Sequence, residues 1–136
     1  MPQIDYRAIF SALFLPLLLW TGSVAAISLM GYPGVVCMTP VAWLLALPVG
    51  IRVQRESRSQ GSLPVLEAAL GGGLLGFWQG LMVPAVMVAT RYIPGQNLSD
   101  PPNPVFAAIL VIIVSVPAAA GLAALITWGM RKQAKR

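Results

Sequence analysis

The chain has 136 residues, of which 57% are hydrophobic and 10% are charged, and its mean hydropathy is +0.78. A soluble domain carries about a quarter charged residues, so this composition excludes an ordinary soluble protein and predicts one membrane domain over residues 1–136. The sequence has no histidine and one cysteine, Cys37. The commonest metal and haem ligand and the commonest general base are therefore missing, and we expect no cofactor, no metal site and no enzymatic activity.

The net charge of +5 comes from cations that flank apolar stretches. In a soluble protein this excess would favour nucleic-acid binding. At the ends of membrane spans it is typical of orientation signals and of contacts with anionic lipid. We therefore expect membrane lipids as partners, anionic on the cytoplasmic side, and no nucleic acid.

The first charge-free stretch runs from Ala8 to Ile51 and contains no Asp, Glu, Lys or Arg. It is too long for one crossing, since about 20 helical residues span the hydrocarbon core. The sequence Gly-Tyr-Pro-Gly at 31–34 supplies turn residues, so we predict a first span over 8–30 and a second over 35–51. Pro48 is expected to kink or end the second span, and residues 52–64 are expected to form a solvated loop.

The third span is predicted over 66–90 and is rich in glycine. Small residues recur every four positions and so share one face of the helix, with a fifth beside it, which favours close packing against another helix. This face consists of Ala68, Gly72, Gly76 and Gly80, with Gly73 beside them. Gln79 is placed at the edge of this face near mid-membrane, and Glu67 on the opposite, bulky side near the membrane surface. The Gln79 amide has two interpretations, an interhelical hydrogen bond or the lining of a substrate path.

The fourth span is predicted over 105–128, after a proline-rich loop at 91–104 that is either a rigid connector or a recognition surface. Its second half is small, with Ala119 and Ala123 as the expected packing positions. In an antiparallel hairpin these residues lie at the depth of the glycines of the third span, so we predict close packing of the two helices there. Ser115 is a second intramembrane polar residue, expected to satisfy backbone groups freed by Pro117.

The distribution of cations predicts the topology. The N-terminal segment, the 52–64 loop and the C-terminal tail hold one, three and four Lys or Arg residues, while the two opposite connections hold none and one. This bias places both termini in the cytoplasm, in an all-α, multi-pass protein of two helical hairpins in a prokaryotic cytoplasmic membrane. The expected lipid or partner contacts are Arg52, Arg55, Arg58, Arg131, Lys132, Lys135 and Arg136.

Three functions are compatible with these features. The first is a non-catalytic accessory subunit of a larger membrane complex, by analogy with small cofactor-free subunits of respiratory and photosynthetic assemblies. Its partner would be other membrane subunits packed on the glycine face, so a bulky residue at Gly76 should displace it. The alternative is a small oligomeric transporter or channel with a polar path near Gln79. An enzyme of lipid or quinone chemistry is disfavoured, because Glu67 and Arg91 lie at opposite ends of one predicted helix.

Overall fold

The computed structural model describes residues 4–30, 32–56, 63–90 and 103–134, and the regular structure of these residues is entirely helical. The helices are α1 (Tyr6–Ile27), α2 (Tyr32–Ala42), α3 (Ala46–Glu56), α4 (Pro64–Thr90) and α5 (Pro104–Ala134), with 3₁₀ turns at Ser28–Met30 and Trp43–Leu45. Within the described residues, four segments are long and apolar enough to cross a membrane: Tyr6–Ile27, Cys37–Glu56, Pro64–Ala89 and Pro104–Ala134. The predicted all-helical, four-span architecture is confirmed to this extent.

The second span differs from its prediction in length and in continuity. It continues past Ile51 to Glu56, so Arg52 and Arg55 are exposed residues of α3 rather than parts of a loop. Pro48 does not end the helix but lies inside α3, and the 3₁₀ turn at Trp43–Leu45 precedes it. Proline cannot donate to the carbonyl four residues earlier, which is that of Leu44, and its ring crowds that carbonyl. The chain therefore tightens at 43–45 and then resumes the α-helix.

The other spans begin or end beyond their predicted limits. Asp5 caps α1, because its side-chain oxygen accepts a hydrogen bond from the Ala8 N–H at 3.2 Å. Helix α4 begins at Pro64, a residue favoured in the first turn. Helix α5 continues to Ala134 and carries Arg131 and Lys132 in its last turn, where cations stabilise the negative end of the helix dipole.

Helix α4 contacts every other helix of the described chain, and its contact with α5 is the most extensive. Helices α3 and α4 each pack against both α1 and α5. One buried cluster joins α1, α3, α4 and α5, and it contains Ile9, Ala12, Leu13, Ala46, Val49, Val53, Ala68, Leu75, Ala119 and Ala123. A second joins α1, α2, α4 and α5, and it contains Trp20, Val24, Ala42, Val83, Val86, Met87, Ala107 and Val111. The close packing predicted between the third and fourth spans is present.

The charged residues that the structure describes lie at one end of the bundle. They belong to the start of α1, the end of α3, the start of α4 and the end of α5. Direct contacts join these helix ends: the Asp5 N–H donates to Glu67, and Ser11 donates to Glu56. Of the predicted contact residues, Arg58, Lys135 and Arg136 lie outside the described residues, as do positions 91–102 of the predicted loop.

Candidate functional site

The glycines of α4 form a close helix contact, and their partner is α5. A Cβ added at Gly72 would collide with the backbone of Ala119 and lie 2.9 Å from the Ala123 Cβ. A Cβ at Gly76 would collide with the Ser115 carbonyl and lie 2.9 Å from the Val116 Cα. Both helix backbones are therefore in contact, which only residues without a side chain permit.

The remaining small residues of this face are not equivalent to one another. Gly80 packs against Ile112, and Ala68 is completely buried. Gly73 lies beside the contact, since its added Cβ would be 3.8 Å from the Val116 Cγ1, an ordinary van der Waals distance. The small-residue face is thus filled by α5 of the same chain. It is not a free docking surface for another subunit.

Gln79 lies at the centre of the buried face of α4, not at its edge, and its side chain is 0% exposed. Its Nε2 donates a hydrogen bond to the Ala42 carbonyl at 3.0 Å, across to the second span. Its Oε1 has no hydrogen-bond partner among the described residues. The Gln79 side chain therefore joins two helices from within the bundle.

The 3₁₀ turn changes the backbone donor of the carbonyl that receives this bond. In a continuous α-helix the Ala46 N–H would bond to the Ala42 carbonyl. Here the Ala46 N–H is directed to the carbonyls of Trp43 and Leu44 instead. The Ala42 carbonyl thus exchanges its α-helical donor for the N–H three residues further on, as in any 3₁₀ turn, and Gln79 donates to the same carbonyl from α4.

Ser115 is buried, and its partner is a side chain of the second span. Its Oγ accepts a hydrogen bond from the Trp43 Nε1 at 3.1 Å. This differs from the role expected next to Pro117, because the indole N–H of Trp43 needs an acceptor in the interior. Trp43 is accordingly half-buried and joins the second span to α5.

Two threonines, the buried Thr127 and the exposed Thr21, also take part in hydrogen bonds between helices. The Thr127 Oγ1 lies 3.1 Å from the Gly50 carbonyl of α3 and 2.8 Å from the Ala123 carbonyl of its own helix. The Trp78 Nε1 donates to the Thr21 Oγ1 at 3.1 Å and so joins α4 to α1. Their signal in the sequence is weak, since hydroxyl groups in membrane helices commonly bond their own backbone. Each of these polar groups works as a helix-to-helix link.

Glu67 is placed differently from its prediction. It is 0% exposed, and its Oε1 accepts a hydrogen bond from the Asp5 N–H at 2.8 Å. The first turn of α4 therefore holds a buried carboxylate that fastens the start of α1. Nearby, Ser11 donates to the Glu56 Oε1 at 3.1 Å, in a polar pocket of about 400 Å³ between α1 and α3.

An open surface of small residues lies on α1. Between positions 21 and 26 only Val24 is buried, and Thr21, Gly22, Ser23, Ala25 and Ala26 are exposed. A Cβ added at Gly22 would meet nothing within 4 Å. Gly22 and Ala26 are four residues apart, the same signal that marked α4, and it was present in the sequence. We call residues 21–26 and the groove beside them the α1 face.

The groove of the α1 face has a volume of about 480 Å³ and is lined by Phe14, Leu17, Leu18, Thr21 and Gly22. It runs along the outer side of α1, so it is directed to the membrane in the predicted arrangement.

The charged end of the bundle exposes four cationic side chains, those of Arg52, Arg55, Arg131 and Lys132. Among the described residues no group of three or more His, Cys, Asp or Glu could hold a metal ion.

Comparison of the chain with protein-family models, with curated proteins and with solved structures finds no match.

Proposed function

We propose that this chain is a non-catalytic accessory subunit of a larger complex in a prokaryotic cytoplasmic membrane, and that a transmembrane helix of a partner subunit packs on the α1 face. The observation that carries the proposal is the contrast between two surfaces. The glycine face of α4 is filled by α5, whereas Gly22 of the α1 face has open space beside it. The proposed partner surface is therefore on α1, and not on α4 as the sequence suggested.

The physical argument concerns what drives helices together in lipid. Apolar side chains gain little by leaving lipid for another apolar surface, so association depends on close packing of backbones. Small residues permit this approach, and on α1 they are concentrated at 21–26. The outer surface of α4 is bulky by comparison, with Leu70, Leu74, Phe77 and Leu81 exposed. The α1 face therefore permits the close approach of a partner helix.

The groove of the α1 face supports the same docking mode. Phe14 and Leu18 are large and exposed, and they line the groove about two turns and one turn before the open position at Gly22. Large residues beside a small one make a hollow into which a side chain of a neighbouring helix can insert, as in ridges-into-grooves packing. A partner helix there would bury two of the large apolar side chains that the chain exposes.

The transporter alternative rests on Gln79, and the geometry gives it less support. A ring of Gln79 side chains in an oligomer would need this residue on the outside of the bundle. Gln79 is instead enclosed by its own chain and bonded to Ala42. Forming such a ring would require α2 and α4 to separate.

The experiment that tests the proposal compares Gly22→Leu with Gly121→Leu after expression in the native host. Both glycines have nothing within 4 Å of an added Cβ, so both variants should fold. We expect the wild type and Gly121→Leu to migrate with larger subunits in fixed ratio on a native gel after mild detergent extraction, with mass spectrometry identifying the partners. Gly22→Leu should remain in the membrane but migrate without them.

Two results would contradict the proposal. One is a wild-type particle that contains only copies of this chain, which would favour the transporter and lead to flux measurements with Gln79 replaced. The other is full retention of Gly22→Leu in the complex, which would remove the α1 face as the docking surface.

A further inference from the structure

A recess lies at the charged end of the bundle, between the first turn of α4 and the last turns of α5. Its volume is about 270 Å³, and it is lined by Val65, Trp128, Arg131 and Lys132. It is separate from the α1 face, which lies on another helix. None of the hydrogen bonds or packing contacts described above uses its two cations.

The side chains of the recess combine positive charge with an aromatic wall. The Lys132 Nζ lies 5.3 Å from the centre of the Trp128 ring, a cation–π contact that holds the ammonium group at the edge of the recess. Arg131 is exposed and adds a planar donor group suited to phosphate oxygens. Trp128 is 56% exposed, as is typical of tryptophan at the boundary between hydrocarbon and headgroups.

The backbone of α4 adds to the positive potential. Val65 is in the first turn of this helix, where N–H groups have no partner within the helix and the dipole is positive. The acidic residue of the same turn, Glu67, is directed elsewhere. It lies about 160° from Val65 around the helix axis, and it is bonded to the Asp5 N–H. The recess therefore presents two cations and a helix N-terminus without a facing carboxylate among the described residues.

We infer that this recess binds the phosphate group of an anionic phospholipid headgroup. Basic pockets between transmembrane helices on the cytoplasmic side are suited to such headgroups. A free phosphate ion offers the same oxygens, but the apolar walls of Val65 and Trp128 favour a ligand that also has an apolar part. With its acyl chains in the bilayer, a phospholipid places its phosphate at the level of these residues.

The test uses the full chain, purified in detergent and titrated with phosphatidylglycerol while bound lipid is counted by native mass spectrometry. The decisive variant carries Arg131→Gln and Lys132→Gln together. The control carries Arg52→Gln and Arg55→Gln, which removes two exposed cations from the same end of the bundle. We expect the first to bind phosphatidylglycerol roughly thirtyfold more weakly, or about five- to sixfold for each cation, and the control to bind within about twofold of wild type.

Further arms identify the ligand. Phosphatidylcholine should bind weakly to all three proteins, and millimolar inorganic phosphate should not displace phosphatidylglycerol. Displacement by inorganic phosphate would overturn the assignment to a lipid in favour of a free anion. Equal loss of binding in both double variants, or no loss in the first, would overturn the site itself. The melting temperature without added lipid should be the same for all three proteins, since the replaced side chains are exposed.

Discussion

At the scale of the residue, the same amino acid has different consequences at neighbouring positions of α4. Gly73 and Gly76 are both helical glycines on a small-residue face. An added Cβ would have ordinary contacts at Gly73 but would collide with the Ser115 carbonyl at Gly76. The sequence suggested that a bulky residue at Gly76 would release a partner subunit. Because α5 of the same chain occupies this face, such a residue should instead separate α4 from α5. The effect of a substitution therefore depends on which atoms of α5 lie opposite the glycine.

This contrast gives a matched pair of substitutions. Gly76→Ala should lower the free energy of unfolding by about 2 kcal/mol, because the new methyl group overpacks a backbone-to-backbone contact. Gly73→Ala should leave stability unchanged or raise it by up to about 1 kcal/mol, because alanine has the higher helix propensity. Thermal unfolding in detergent, followed by circular dichroism, measures both. Equal effects of the two substitutions would contradict the assigned α4–α5 contact.

At the scale of the element, the second span shows how a proline creates a binding position for a distant side chain. Pro48 lacks the N–H that would bond to Leu44, and the chain forms a 3₁₀ turn at Trp43–Leu45. That turn redirects the Ala46 N–H away from the Ala42 carbonyl, which accepts a hydrogen bond from Gln79. The 3₁₀ turn between α2 and α3 and the buried Gln79 amide of α4 are thus structurally coupled.

A double-mutant cycle on Pro48 and Gln79 tests this coupling. Pro48→Ala restores an N–H and permits a continuous α-helix, in which Ala46 satisfies the Ala42 carbonyl. Gln79→Leu should then be less destabilising in the Pro48→Ala background than in the wild type, with a coupling energy of about 0.5–1 kcal/mol. Unfolding of the four proteins in mixed micelles provides the measurement. Strict additivity would show that the turn and the amide are independent.

At the scale of the whole molecule, the described charges lie at one end of the bundle and the described spans are apolar. Within the described residues, the cations of this end are Arg7, Arg52, Arg55, Arg131 and Lys132. Cations remain on the cytoplasmic side during insertion, so this end is proposed to face the cytoplasm. The lipid recess would then meet the leaflet that carries anionic headgroups.

Cysteine labelling tests this orientation. In a Cys37→Ala background, Gln133→Cys places a thiol at the charged end, and Asn103→Cys places one at the start of α5, at the opposite end. In intact spheroplasts a membrane-impermeant maleimide should label position 103 and leave position 133 unlabelled until the membrane is opened. Labelling in the reverse order would invert the proposed topology.

The fold class could be predicted from the sequence because its signals are local. The long stretches without Asp, Glu, Lys or Arg, such as Ala8 to Ile51, require membrane helices, since hydrocarbon supplies no other partner for the backbone. The spacing of Gly72 and Gly76 likewise predicted a close-packing face. The ends of α3 and α5 were placed too early, because charged residues such as Arg55 and Arg131 continue a helix beyond its apolar part.

The sequence by itself therefore determined an all-helical membrane protein with four spans and a small-residue face on the third. Only the tertiary structure decided that α5 fills this face, that Glu67 and Gln79 are buried, and that Gly22 remains open. The physical reason is that burial and pairing depend on which helix lies opposite a residue. The spacing of small residues is the same on α1 and α4, and it does not say which of the two faces another part of the chain will cover.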